Sequence, residues 1–470
     1  MNREVPGAKL MTTTDERFYL FQQRMIEAGL PDLFIETFAY YYHQLLSGQT
    51  GLVAEADIEP IDSPTRMLDL AERLRSAGES VSRRTAIIKL NGGLGTSMGL
   101  ENAKSLLVVK DGYSFLDIIA EQSINAQVPL VLMNSFATEA DSREVLSRHP
   151  DLISDIPQTF VQHMEPKVRQ SDFLPVDWPQ EPELTWCPPG HGDIYTALVT
   201  KGVLKELLQA GYKYAFFSNA DNLGATLDLL LLGHFAENDL PFMIEVAERT
   251  ENDRKGGHLA RRRADGRLIL RELAQCPPDD IDAFQDIERH SYFNTNNLWI
   301  NLESLDRALR EHDYILKLPM IRNSKTVDPR DRDSTPVYQL ETAMGAAVEI
   351  FEGAEAIVVP RSRFAPVKKT SDLLILRSDV YELGDDFLVT LHPDREGRLP
   401  VVDLDPLYYQ FVSDFDERFA QGVPSLLQCS SFQVNGDFNF GRDVVLQGDV
   451  ELLNHDETQK TIDDGSVLSG

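Results

Sequence analysis

The sequence predicts an α/β protein with a mixed, mostly parallel sheet, preceded by N-terminal helices and followed by a short left-handed parallel β-helix. Three observations predict it. From Thr85 onward, short apolar runs alternate with amphipathic segments, a pattern that implies strand–helix crossovers with helices on both faces of a sheet. Before that point, aromatic and aliphatic residues recur at three- and four-residue spacing, and in the tail they recur at six-residue spacing.

Residues 14 to 80 read as helical. Phe18, Phe21, Met25, Phe34, Phe38, Tyr41 and Leu45 follow helical spacing, and Gly29–Pro31 and Ser47–Gly51 punctuate the helices. Such spacing belongs to core-facing side chains, so residues 1–80 are expected to form a helical cap.

Thr85 to Ser105, TAIIKLNGGLGTSMGLENAKS, then sets a glycine-dense loop after a strand. Gly92, Gly93, Gly95 and Gly99 let the backbone turn sharply and approach an anion without a Cβ in the way. The amides of such a loop, leading into a helix start, point at phosphate oxygens; a tight turn without a ligand is the bland alternative. It is not a P-loop, because Ala103 precedes Lys104 and Met98 stands where the first glycine should be. Gly93, Gly95 and Gly99 fit a Rossmann-like dinucleotide fingerprint only loosely, and no acidic residue ends an obvious second strand near position 120.

Further elements follow in order: a helix near Phe115 to Ala126, the strand VPLVLMN, a helix near Thr138 to Arg148, a helix from Asp193 to Gln209, and the strand YKYAFFS ending at Ser218. Ligands on such sheets bind beyond the carboxyl ends of strands. The glycine loop, Met133–Ser135 and Asn219–Asp221 all fall there. The runs PFMIEVAE, GHLARRR, RLILREL and YFNTNNLWI read as strands, with Ala264–Arg267 as a hairpin turn.

In the tail, Phe432, Phe438, Val444 and Val450 are spaced by six, as are Val434, Phe440, Leu446 and Leu452. This period suggests a few turns of a left-handed parallel β-helix over about 430–470. An antiparallel meander is the alternative.

Composition narrows the function classes. A formal charge of −30 over 470 residues opposes nonspecific binding to nucleic acid or acidic membranes. Small anionic ligands need only local positive groups, and Lys89, Lys104, Lys255, Lys325, Lys368 and Lys369 lie in or beside the polar blocks. The N-terminus lacks an apolar signal core and no run approaches a membrane span. Cys187, Cys276 and Cys429 are too few and scattered for a disulfide framework or zinc ribbon, so a reducing cytoplasmic location is expected.

The loop LNGGLGTSMG followed by AKS resembles the signature of the eukaryotic-type UTP:glucose-1-phosphate uridylyltransferases. VPLVLMNSF, PPGHGDIY, SNADNLGAT, KGGHL, FNTNNLW, QLETAMGAA and PRSRFAPVKKTSDLL resemble that family's blocks in the family's order, across roughly residues 85 to 375. The resemblance implies a nucleotidyltransferase type A-like fold and a catalytic domain over 81–375, with 376–470 as a C-terminal domain used for homo-oligomer contacts. The chain ends at Gly470, earlier than expected from the family, which counts against the usual large assembly. It further implies UTP and glucose 1-phosphate as substrates and Mg²⁺ as cofactor.

Residue by residue, the resemblance gives these expectations. Amides of Leu90, Asn91, Gly92, Gly93 and Gly95 hold the phosphates and base edge of the nucleotide, and Lys104 neutralises phosphate charge. Gln162 and Gly190 lie at the uracil, His191 and Asn219 at the sugar phosphate, and Glu272 and Asn296 at glucose hydroxyls. Lys255 and Lys325 are expected at the sugar phosphate and the pyrophosphate. Asp221 is the expected Mg²⁺ ligand, a reading its place at a strand end favours over a turn-forming role. Lys368 is expected at the reacting centre, where a flexible point charge suits a migrating negative charge. Broader sugar acceptance, and a non-catalytic sugar-nucleotide-binding protein, are the competing readings. One departure stands out: Leu100-Glu101-Asn102-Ala103 replaces a segment that usually ends in Gly-Pro. It loosens the backbone and adds a negative charge, and weaker triphosphate binding without loss of activity is expected.

Overall fold

The computed structural model describes residues 16–456 and 458–470. The segment read as lacking a signal core, and the first two positions of the helical reading, lie outside the described residues. The chain forms two compact units that interleave in sequence. One comprises the chain up to Ala86, Asp155–Phe217 and Leu229–Val359; the other comprises Ile87–Ser154, Ser218–Asp228 and Pro360–Gly470.

In the first unit, helices Glu16–Glu27 and Asp32–Leu46 bury the predicted stripe from Phe18 to Leu45 against Val168, Met320 and Leu340. The helical reading fails between them and the helix Arg73–Ser82. Pro60 and Pro64 interrupt any helix there. The strands Ile58–Pro60 and Thr65–Arg66 instead pair with His258–Arg262 and Glu355–Val358. The sheet of this unit is mixed. Thr65–Arg66, Glu355–Val358 and Phe242–Glu248 run parallel, whereas Tyr292–Asn301 is antiparallel to both Phe242–Glu248 and Tyr214–Asn219. The predicted hairpin is present, with His258–Arg262 and Leu268–Arg271 antiparallel around Gly266 at φ +71°. The helix expected over Asp193–Gln209 breaks into Ile194–Thr200 and Val203–Gln209, because Gly202 takes a left-handed conformation.

In the second unit, Thr85–Asn91 runs parallel to Leu130–Asn134 from Ile87 onward, and the helix Phe115–Ala126 packs in the same core. That apolar core continues without a break through Leu374, Tyr409 and Phe415 into the tail. There Val401–Leu404, Ser425–Asn435, Val445–Leu453 and Val467–Ser469 pair in parallel. Ser431 lies opposite Asp449, an offset of eighteen residues, or three of the predicted six-residue steps. Phe432, Phe438, Val444, Val450, Val434, Phe440 and Leu446 are all buried. An antiparallel meander is thereby excluded. All three cysteines are free and buried. Among the described residues no helix is long and apolar enough to cross a membrane.

Two glycines set the closest helix contact in the first unit. A Cβ on Gly233 would lie 1.8 Å from the Leu74 carbonyl oxygen, and one on Gly78 would lie 1.9 Å from that of Leu229. Gly233→Ala must therefore push apart Arg73–Ser82 and Leu229–Glu237. A loss of about 1–3 kcal/mol is expected, read by urea denaturation; an unchanged midpoint would show that the helices separate freely.

Candidate active site

In the second unit the glycine loop leaves the strand at Asn91, whose side chain is buried and donates to Asn134 Oδ1 at 2.7 Å and Ser142 Oγ at 2.8 Å. Asn91 thus anchors the loop through its side chain and can present only backbone to a ligand. Gly93 is exposed with nothing near its Cβ position, while Gly95 and Gly99 are left-handed at φ 72° and 73°. A Cβ on Gly95 would press on Leu100 at 2.9 Å and on Lys104 Cγ at 3.2 Å. Glycine at this position therefore leaves the space that the Lys104 side chain uses. The loop does not lead into an α-helix as expected. It runs through the 3₁₀ turns Thr96–Met98 and Lys104–Leu106, because left-handed Gly95 and Gly99 flank the first and isolate it. The loop's own amides, not a helix dipole, are what it offers an anion.

Lys104, Asp221 and Lys368 meet. Lys104 Nζ lies 2.8 Å and Lys368 Nζ 3.0 Å from the same oxygen, Asp221 Oδ2. Lys104 also donates to the Val367 carbonyl. Lys104 and Asp221 side chains are each 14% exposed, Lys368 57%. Burial pushes the Asp221 pKa up, and the charges of Lys368 and Lys104 more than reverse this, holding the carboxyl below its usual range. One carboxylate against two ammonium groups leaves a net positive site. The other oxygen, Asp221 Oδ1, is buried with no hydrogen-bond partner. Among the described residues no three His, Cys, Asp or Glu side chains cluster to hold a metal. A hard cation at Oδ1 would therefore complete its shell with ligand and water oxygens.

The turn that carries Asp221 is held from three sides. Ala220 N donates to the Leu90 carbonyl at 3.0 Å. Lys89 is buried and donates to Ser218 Oγ and the Ala225 carbonyl, both at 2.7 Å, so it is a strut and not the ligand cation its position in the sequence suggested. Asn222 exchanges 3.0 Å bonds with the Arg363 carbonyl and Ala365 N, fastening the segment that delivers Lys368. The helix after Asp221 starts at Leu229. Asn219 is half-buried at the end of its strand, and Glu101 is exposed.

The first unit brings together other expected residues. Gly190 has φ +77°, and Gly192 N donates to the Thr342 carbonyl at 2.8 Å. Met344 N donates to His191 Nδ1 at 3.0 Å, which places the proton of the neutral ring on Nε2. Gln162 is half-buried. Asn296 has φ +59° at a bulge opposite Glu245 and Val246, and Asn294 Nδ2 donates to its Oδ1 at 2.8 Å. The Glu272 carboxylate lies over Gly257, 2.4 Å from where a Cβ would stand. Lys255 and Lys325 have exposed side chains.

The sequence profile of the UTP–glucose-1-phosphate uridylyltransferases matches residues 35–447. The chain belongs to this family. The UTP–glucose-1-phosphate uridylyltransferase of Hordeum vulgare is 40% identical over 392 residues, covering 82% of this chain and 80% of the relative. That of Encephalitozoon cuniculi is 37% identical over 440 residues, covering 92% and 86%. Among solved structures, UDP-glucose pyrophosphorylase from Leishmania major superposes with a TM-score of 0.89 at 42% identity, covering 97% of this chain and 99% of the other. The Trypanosoma brucei UDP-glucose phosphorylase gives 0.88 at 44%, covering 97% and 98%. Asn222 and Val367, which bond to the segments carrying Asp221 and Lys368, are contacts of this cluster that sequence reasoning missed. Asn222 had a visible signal, as the second asparagine flanking the aspartate in SNADN.

Burial alone raises the Glu272 carboxyl to about 7. The folded chain therefore keeps a proton that the unfolded chain releases near its model value of 4.5. Stability from this group is complete below that value and is lost as pH rises to about 7, by about 3 kcal/mol at most. Glu272→Gln should flatten the pH dependence of urea stability across this window, and an unaltered slope would contradict the desolvated carboxyl.

Proposed function

We propose that this chain catalyses the formation of UDP-glucose and pyrophosphate from UTP and glucose 1-phosphate, by in-line attack of the sugar phosphate on the α-phosphorus. The observation that carries the reading is the shared Asp221 oxygen between Lys104 and Lys368, with the second oxygen buried and unpartnered. Phosphoryl-type chemistry needs positioning and charge neutralisation, with no covalent intermediate. A surplus positive charge beside a loop of free amides provides both.

In this reading the amides from Leu90 to Gly95 hold the triphosphate and the base edge. Gln162 and Gly190 contact the uracil, His191 and Asn219 the sugar phosphate, and Glu272 and Asn296 the glucose hydroxyls. Lys255 and Lys325 approach the sugar phosphate and the pyrophosphate. Lys104 and Lys368 move from Asp221 to phosphate oxygens as substrate arrives, which stabilises the charge that builds up during transfer. Asp221 would hold Mg²⁺, which would supply further neutralisation of phosphate charge when bound. The buried Oδ1 supports that fit.

The same reading takes residues 1–80 as an N-terminal cap, 81–375 as the catalytic domain and 376–470 as a C-terminal domain whose parallel coils wind left-handed and carry homo-oligomer contacts. It places the enzyme in the cytoplasm, with small molecules and not nucleic acid as its partners.

A pyrophosphate-release assay tests the reading, crossing UTP, ATP, dTTP and GTP with the 1-phosphates of glucose, galactose and N-acetylglucosamine, with and without Mg²⁺. Metal-dependent release confined largely to UTP with glucose 1-phosphate is expected, and Lys368→Ala should lower kcat by about 10²-fold. Activity across several sugars would make it a broad UDP-sugar enzyme, and no release with any pair would favour a binding protein.

A further inference from the structure

His163 and Asp193 form a buried pair in the first unit, each side chain 1% exposed. The Asp193 carboxylate accepts from the His163 backbone N–H at 2.7 Å and lies 2.8 Å from its Nδ1. With the proton on Nδ1, the ring's Nε2 is an acceptor, and Thr200 Oγ1 lies 3.0 Å from it. Phe34 stacks on the imidazole with centroids 4.2 Å apart and planes 13° apart. Charge-assisted bonds of this kind are strong and directional where water is excluded.

Neither side chain has a part in the proposed chemistry, yet each adjoins a residue that does. His163 follows Gln162, and Asp193 ends the 3₁₀ turn His191–Asp193. Phe34, Gly192 and Asp193 also wall a cavity of about 30 Å³, together with Glu165 and Thr342. Thr342 and Met344 hold the turn at Gly192 and His191, and the bonds that Asp193 accepts from His163 tether its far end.

We propose that His163 and Asp193 are positioning residues that fix Gln162 and His191 relative to one another, so that base recognition and sugar-phosphate recognition depend on one buried hydrogen-bonded pair. The proposal rests on the contacts assigned above to Gln162 and His191. With an amide in place of the carboxylate, one oxygen remains for the two bonds that His163 makes through its backbone N–H and Nδ1, and the charge assistance is gone, which loosens the backbone after Gln162 and the turn after His191. Misplacement of this size costs binding and discrimination more than thermal stability.

The test uses the full chain with Asp193→Asn, His163→Leu and His163→Asn, the last of which offers an amide donor near the place of Nδ1–H. Steady-state kinetics with UTP, CTP and glucose 1-phosphate are measured beside thermal melts. Asp193→Asn and His163→Leu should each raise both KM values about tenfold and narrow the preference for UTP over CTP about tenfold, with kcat within about threefold. His163→Asn should recover most of both losses. If Asp193→Asn does not fold, His163→Leu carries the same readouts. Parent-like KM values and base preference in a folded variant would overturn the proposal, as would a fall in kcat alone. Gln162→Ala and His191→Ala separate the two readings. Unchanged KM values there overturn the assigned contacts, whereas raised values there with parent-like values in the pair variants overturn the proposal alone.

Discussion

A single carboxylate oxygen shared by two ammonium groups organises the charged cluster of the second unit, on which the proposed chemistry depends. Asp221 Oδ2 holds Lys104 and Lys368 within 3.0 Å, although the two lysines are 264 residues apart in the chain, from 104 to 368. Such a pairing is costly to desolvate and gains little net stability. Its effect is positional. Two cations stay next to each other without substrate because an anion lies between them, and a polyphosphate can take over that role. The strutting of the turn follows from this requirement. Buried Lys89 braces it, Ala220 bonds to Leu90 in the strand that precedes the glycine loop, and Asn222 ties it to the segment that supplies Lys368.

In the first unit the residues proposed for recognition are arranged by backbone geometry. Gly190 is left-handed, and a Cβ there would lie 2.5 Å from the Thr342 carbonyl oxygen. Asn296 reaches its orientation only because the strand bulges and lets it adopt a positive φ. Burial raises the carboxyl of Glu272 to about 7. An acid desolvated in this way destabilises the unliganded fold above neutrality, and sites that bind polar groups commonly carry such a cost. A sugar hydroxyl donating to the carboxylate would relieve it.

Much of this was legible in the sequence, for physical reasons. The helices up to Leu46, the helix Phe115–Ala126 and the hairpin around Gly266 follow from strong periodicity and unambiguous turn residues. The six-residue step in the tail was legible because its apolar residues are buried by strands that pair in parallel at an offset of three such steps. Failures came where local preference was overruled. Residues 47–72 contain enough apolar positions to read as helix, but prolines and strand pairing decide their conformation. Lys89 looked like a ligand cation because charge is visible in a sequence and burial is not. His163 and Asn222 act only through partners 30 and 141 residues away, and no local pattern announces such bonds.

The central claim is that Asp221 restrains the two lysines and supplies the oxygen that completes the reacting centre. Measuring UTP affinity without metal and turnover with Mg²⁺ in Asp221→Asn tests it most directly. Removing the charge leaves both lysines for the triphosphate, so metal-free UTP binding should tighten while turnover falls by about 10²-fold or more. Turnover near that of the parent, or UTP binding and turnover lost together, would contradict the account.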